Sequence, residues 1–208
     1  MTRAKTVRRR VGLLLATTLA MLIAEGLARA ESATLGNAHT GSGLLSPQEL
    51  SFRFAYGYAE RVSLNFFTFG PRVAYDLPDF VPAIAGNRIR LAIEMLGSII
   101  SGPNHGGNGE FALSPLIFNY RYDTGGAFVP FIEGGGGIVL TTLDEMNLGG
   151  PFEFSSQGGG GFHWFFNRNH AVTFDARYRH ISNAGIKSQN SGLNTLFVGI
   201  SLGLFPDR

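Results

Sequence analysis

From residue 172 onward the chain alternates strictly between apolar and polar positions. Val172, Phe174, Ala176 and Tyr178 hold one parity, and Thr173, Asp175, Arg177 and Arg179 hold the other. A period of two sends successive side chains to opposite faces of a strand, so this segment has an apolar face and a polar face. After a Gly-, Ser- and Asn-containing turn, Asn194, Leu196, Val198, Ile200, Leu202 and Leu204 again form one row. Between the two rows lie His180 and Ser182, the only His-x-Ser in the sequence, on the even parity where apolar contacts are expected.

The same period predicts strands along most of the chain. Strand one falls at about 49–58 and strand two at about 61–75, where the run Leu64-Asn65-Phe66-Phe67-Thr68-Phe69 blurs the register. Residues 76–86, with Pro78 and Pro82, break the pattern. In strand three Ile89, Leu91, Ile93, Met95 and Ile99 share a face opposite Arg88, Arg90 and Glu94. Residues 102–110 read as a loop in which His105 is solvated, and strand four covers about 111–122 up to the tight turn 123–126. Strand five, about 128–142, contains Glu133 and the run Gly134 to Gly137. No Lys-Ser/Thr follows those glycines, which excludes a phosphate-cradling P-loop and leaves a kinked, closely packed wall. Strand six, about 152–166, sets Phe152, Phe154, Phe162, Trp164 and Phe166 opposite Glu153, Gln157 and His163, the last as an interior hydrogen-bonding group. Asn167-Arg168-Asn169 turns into strand seven, which leads through the His-x-Ser segment to strand eight.

Composition decides what these strands enclose. Residues 1–30 read as a signal peptide: Arg8, Arg9 and Arg10, an apolar run over 11–24, and Ala28-Arg29-Ala30 as a cleavage site. Residues 31–208 then form one domain, beginning with a small, polar lead over 31–48. Six of the 17 basic and one of the 15 acidic residues belong to the signal, leaving 11 against 14, so the domain is near −3 and nothing argues for nucleic acid. It has no Cys, and Lys187 is its only lysine. No stretch of it reaches the roughly 18 apolar residues of a spanning helix. An exported chain with apolar rows in strand after strand fits an all-β, eight-stranded antiparallel transmembrane barrel better than a secreted β-sandwich.

If both termini face the periplasm, odd-numbered strands run outward. Tyr120, Tyr122 and Trp164 then lie in an interfacial girdle, and His180 and Ser182 sit on the lipid-facing wall at outer-leaflet height. Residues i and i+2 of a strand are about 7 Å apart at Cα and point the same way, so the imidazole can take the serine proton as it attacks an ester. Parity alone equally suits a polar pair marking the place where a strand leaves the lipid. No cluster of His or carboxylates has metal-ligand spacing, and ester hydrolysis requires no cofactor.

The run H-I-S-N-A-G-I-K over 180–187, followed by Asn190-Ser191-Gly192, resembles the signature of the lipid A 3-O-deacylase family. The likeness extends more loosely to E-G-G-x-G at Glu133 to Gly137 and to the eight-strand, signal-bearing layout. It implies a bacterial outer-membrane barrel that hydrolyses the ester at position 3 of lipid A, with lipopolysaccharide as substrate and a 3-hydroxy fatty acid as product. By this resemblance His180 is the general base and Ser182 the nucleophile, with Asn183, the Gly185 backbone N–H and Asn190 as candidates for stabilising the oxyanion. The chain departs from the family at the third triad position, where Asn194 stands in place of a Glu; Asp144 and Glu145 in a neighbouring loop are alternative carboxylates. Arg179 has inward parity and reads as ordinary interfacial charge, while Lys187 stays open between that and a lipid phosphate contact. Two other functions suit the same scaffold: a non-catalytic barrel for lipopolysaccharide binding or membrane structure, and another lipid-remodelling enzyme such as a phospholipase or acyltransferase.

Overall fold

The computed structural model describes residues 46–77, 89–103, 107–143 and 148–206. The expected signal peptide, most of the expected polar lead, the break expected at Pro78 and Pro82, His105, Asp144 and Glu145 lie outside these residues. The described residues form eight strands: β1 (Glu49–Ala59), β2 (Leu64–Asp76), β3 (Ile89–Ser101), β4 (Asn108–Arg121), β5 (Phe128–Thr141), β6 (Phe152–Phe165), β7 (His170–Ser182) and β8 (Leu193–Leu204). Each pairs antiparallel with its sequence neighbour, and β1 closes on β8. The result is a sealed barrel with no free sheet edge. β2 begins three residues later than the alternation predicts. Glu60–Val62 form one 3-10 turn, and Ser63 takes the left-handed region at φ 53° before the strand starts.

Parity holds along every strand except β4, where a bulge at Pro115 and Leu116 switches the inward set from Ala112 and Ser114 to Ile117 and Asn119. The blurred run in β2 resolves with Phe66 buried inside and Phe67 outside. The outer surface carries Phe54, Ile99, Leu116, Phe118, Ile132, Leu196, Val198 and Leu202, and Ile132 is 66% exposed. Such a belt is stable only against lipid hydrocarbon, because apolar surface of this extent in water costs about 25 cal/mol per Å².

The interior is polar and packed with ion pairs. Arg72 meets Glu49 at 3.1 Å, Glu94 at 2.8 Å and Glu133 at 2.9 Å. Arg177 meets Glu94 at 2.7 Å, Glu133 at 2.7 Å and Asp175 at 3.2 Å, and Arg53 closes on Asp175. Charges removed from water are tolerated here because each of these groups has opposite partners, on adjacent strands or across the barrel interior. His163 accepts its predicted interior role, with Nδ1 2.8 Å from Thr173 Oγ1 and its ring stacked on Phe131. At the rim where odd-numbered strands end, an apolar cluster including Leu64, Phe66, Ile100, Ile181, Leu193 and Phe197 caps this network. Arg179 is not interfacial. It is buried beneath that cluster, 2.6 Å from Glu110 and stacked over Phe66 and Phe197. Its inward parity takes it below the rim, where a guanidinium needs both a carboxylate and aromatic faces.

Candidate active site

His180 and Ser182 are the last two outward-facing residues of β7, both half-exposed on the lipid side. Pairing with β8 sets His180 opposite Asn194, and pairing with β6 sets His180 opposite Ser156 and Ser182 opposite Phe154. Cross-strand partners on one face stand close enough for their side chains to meet. His180 Nδ1 lies 2.6 Å from Asn194 Oδ1. An amide oxygen only accepts, so Nδ1 carries the proton and donates it. The other ring nitrogen, Nε2, is thereby left as an acceptor, the tautomer a general base requires. Among the described residues Ser182 Oγ makes no hydrogen bond, to His180 or any other group. Catalytic contacts of this kind often close only when substrate is bound.

The segment after Ser182 is built around Asn183, whose side chain is buried between barrel end and loop. Its Nδ2 donates to Leu148 O at 2.9 Å and to Gln189 O at 2.6 Å. Its Oδ1 accepts from the Gly185 N–H at 3.0 Å, and its own backbone N–H donates to Asn190 Oδ1 at 2.9 Å. A short polar side chain that bonds the backbone two residues on is a stable turn nucleus, and here it lets Ala184 and Gly185 take positive φ. Of the three oxyanion candidates, Asn183 and the Gly185 N–H are thus engaged within the loop. The Nδ2 of Asn190 is the donor that carries no bond among the described residues. Lys187 is exposed above Gly149 and Gly150; a Cβ on Gly150 would sit 2.5 Å from its Nζ.

The glycines of β5 and β6 are not equivalent, a distinction the run of letters hides. Inward Gly135, Gly137, Gly159 and Gly161 admit no Cβ, which would strike the backbone of the adjacent strand. The β4–β5 register shifts between Leu113 and Leu116, beside Gly135 and Gly137. This is the closely packed wall expected from the sequence. Gly134 and Gly158, paired across β5 and β6, face outward instead, where a Cβ would meet nothing nearer than 3.7 and 3.8 Å. Packing does not demand glycine at either. Parity was the available signal: even positions in this run belong to the same wall as His180. Outward Gly136 and Gly160 are crowded, a Cβ meeting the Ser155 carbonyl oxygen at 2.5 Å and the Phe131 carbonyl oxygen at 2.7 Å. With them and Ser156, Gly134 and Gly158 make a strip bare of large side chains beside the imidazole.

The family model for lipid A 3-O-deacylase (PagL) matches residues 88–203, which takes in β3 to β8 and the whole His180–Asn194 region. The chain belongs to the lipid A 3-O-deacylase (PagL) family. It is a bacterial outer-membrane β-barrel of a hydrolase family that acts on lipid A. Its fold is similar to the crystal structure of the outer membrane enzyme PagL, with a TM-score of 0.59 and 22% identity over 73% of this chain and 97% of that one. It is also similar to Neisserial surface protein A (NspA), with a TM-score of 0.54 and 12% identity over 76% of this chain and 94% of that one. No curated protein matches it in sequence.

Proposed function

We propose that this barrel hydrolyses the ester-linked 3-hydroxyacyl chain at position 3 of lipid A in the outer leaflet, through a Ser182–His180 esterase mechanism. The observation that carries the reading is the hydrogen bond from His180 Nδ1 to Asn194 Oδ1, 2.6 Å, on the lipid-facing wall two residues from Ser182. It holds the imidazole with Nε2 free to accept. Nε2 takes the hydroxyl proton as Ser182 Oγ attacks the ester carbonyl, and the oxyanion forms within reach of an amide donor, which we assign to Asn190 Nδ2. Asn183 and the Gly185 N–H hold the loop that presents it. The imidazolium returns its proton to the sugar oxygen as the ester bond breaks. Water, activated by the same nitrogen, then releases the 3-hydroxy fatty acid from Ser182. The bare strip along Gly134, Gly136, Gly158 and Gly160 supports a lipid substrate, since an acyl chain laid there touches backbone without displacing side chains. Glycine in a strand costs roughly 0.5–1 kcal/mol, a cost that packing does not explain at Gly134 and Gly158.

Asn194 favours a second reading. It orients the ring but carries no charge to balance the imidazolium, which suits a barrel that binds lipopolysaccharide or serves membrane structure without turnover. Mass spectrometry of lipid A from cells with and without the protein separates the two. Loss of one 3-hydroxyacyl chain supports hydrolysis; unchanged lipid A supports the non-catalytic barrel; loss of acyl chains from phospholipids instead would make it a different lipase.

A further inference from the structure

We infer that Gly192 is a positioning residue for His180, kept free of a side chain so that the proton-accepting edge of the imidazole stays open and the ring stays on Asn194. The inference rests on the reading of His180 as general base. Gly192 precedes β8 with φ +66°, in the left-handed region that favours glycine. A Cβ built on it would lie 2.5 Å from His180 Cε1 and 3.0 Å from His180 Nε2, and 2.7 Å from the Ile181 carbonyl oxygen. All three distances are inside ordinary contact, and the two groups differ in what can yield. The Ile181 carbonyl belongs to β7, and Ile181 is paired in register with Leu193, so its backbone is fixed on both sides. The imidazole is the movable partner, held at Nδ1 by the 2.6 Å bond to Asn194.

A side chain at 192 therefore acts on two features of the base together. It occupies the approach to Nε2, the atom that must meet Ser182 Oγ and later a water. It also pushes the ring off Asn194, releasing the tautomer that keeps Nε2 unprotonated. Other glycines at positive φ lack this arrangement: Gly125, at φ +68°, has nothing within 4 Å of a built Cβ. The backbone conformation is shared, and the imidazole edge is particular to Gly192.

The test compares full-length Gly192→Ala, Gly192→Asn and Gly125→Ala barrels in detergent with lipid A as substrate, with His180→Ala alongside. Asn tolerates the left-handed region while still carrying a Cβ, so it separates backbone strain from contact with the ring. Both Gly192 variants are expected to fold to a heat-modifiable barrel and to lose about 100-fold in kcat, the penalty typical of a misplacement near 1 Å, with KM little changed. Gly125→Ala should match the wild type. A folded Gly192→Ala or Gly192→Asn barrel with kcat within about twofold of wild type, while His180→Ala is inactive, would overturn the inference and leave the base assignment standing. A loss confined to KM would overturn it too, as would failure of both Gly192 variants to fold while Gly125→Ala folds, which would make Gly192 a folding residue. If His180→Ala retains activity, it is the underlying reading that fails.

Discussion

Strand β7 carries two polar sites one residue out of phase. Asp175, Arg177 and Arg179 point into the barrel, where each is buried in ion pairs with carboxylates or guanidinia of other strands. His180 and Ser182 point into lipid, where one ring nitrogen of His180 is bonded and Ser182 Oγ is not bonded to any described residue. The inward groups have spent their charge on each other, and what they determine is the shape of the barrel. The outward groups keep hydrogen-bonding capacity, and they face the medium in which a lipid substrate arrives. Reactivity needs unspent capacity at an accessible place, and on this strand only the even face has both.

The comparison is most sharply broken by exchanging the chemistry of its two faces. Ser182→Ala and His180→Ala should each lower lipid A hydrolysis by about 10⁴-fold or more while the heat-modifiable barrel is unchanged, since neither side chain closes the wall. Wild-type turnover by purified Ser182→Ala would remove the nucleophile assignment. On the inward face, Glu94→Gln leaves Arg72 and Arg177 facing a neutral amide inside the barrel. Removing one partner of a buried pair costs about 3–5 kcal/mol, so the variant should unfold at markedly lower denaturant, with unchanged kcat in whatever fraction stays folded. A Glu94→Gln barrel as stable as wild type would mean that the ionic interior contributes little to holding the wall.

Asn194→Glu tests the place where family pattern and side chain disagree. A carboxylate at this register position pairs with the imidazolium only as charge develops, so the gain belongs mainly in kcat, by about one to three orders of magnitude. It also sets a charge on the lipid-facing wall, so folding must be followed in parallel. A well-folded variant with unchanged or lower activity would show that Asn194 is not the third member of the site. The smallest effect separates an open glycine from a crowded one. Gly158→Leu fills the bare strip but has room for its Cβ, so the barrel should persist and kcat/KM should fall about tenfold. Gly159→Ala, one residue away, strikes the Ala176 carbonyl and the Arg177 backbone and should fail to assemble. Full activity in Gly158→Leu would remove the strip from the substrate path.

Much of this was legible before any coordinates. The even parity of His180 and Ser182, the inward parity of Arg177 and His163, and the tight turn at 123–126 follow from a period of two and from local turn chemistry. Register in β2 was not legible, because Phe66, Phe67 and Phe69 are apolar on both parities and remove the contrast on which the reading depends.

The sequence by itself determined which side chains share a face, since in a strand that depends only on counting residues. Tertiary structure decided which of them meet. The bond between His180 and Asn194 depends on the register of β7 against β8, and the interior pairs join strands as far apart as β3 and β7. The engagement of Asn183 with Leu148 and Gln189, and the crowding of Gly192 against the imidazole, likewise depend on how the loops settle on the barrel rim. Facing is local and repeats with the chain, whereas contact is a relation between distant residues that exists only once the barrel has closed.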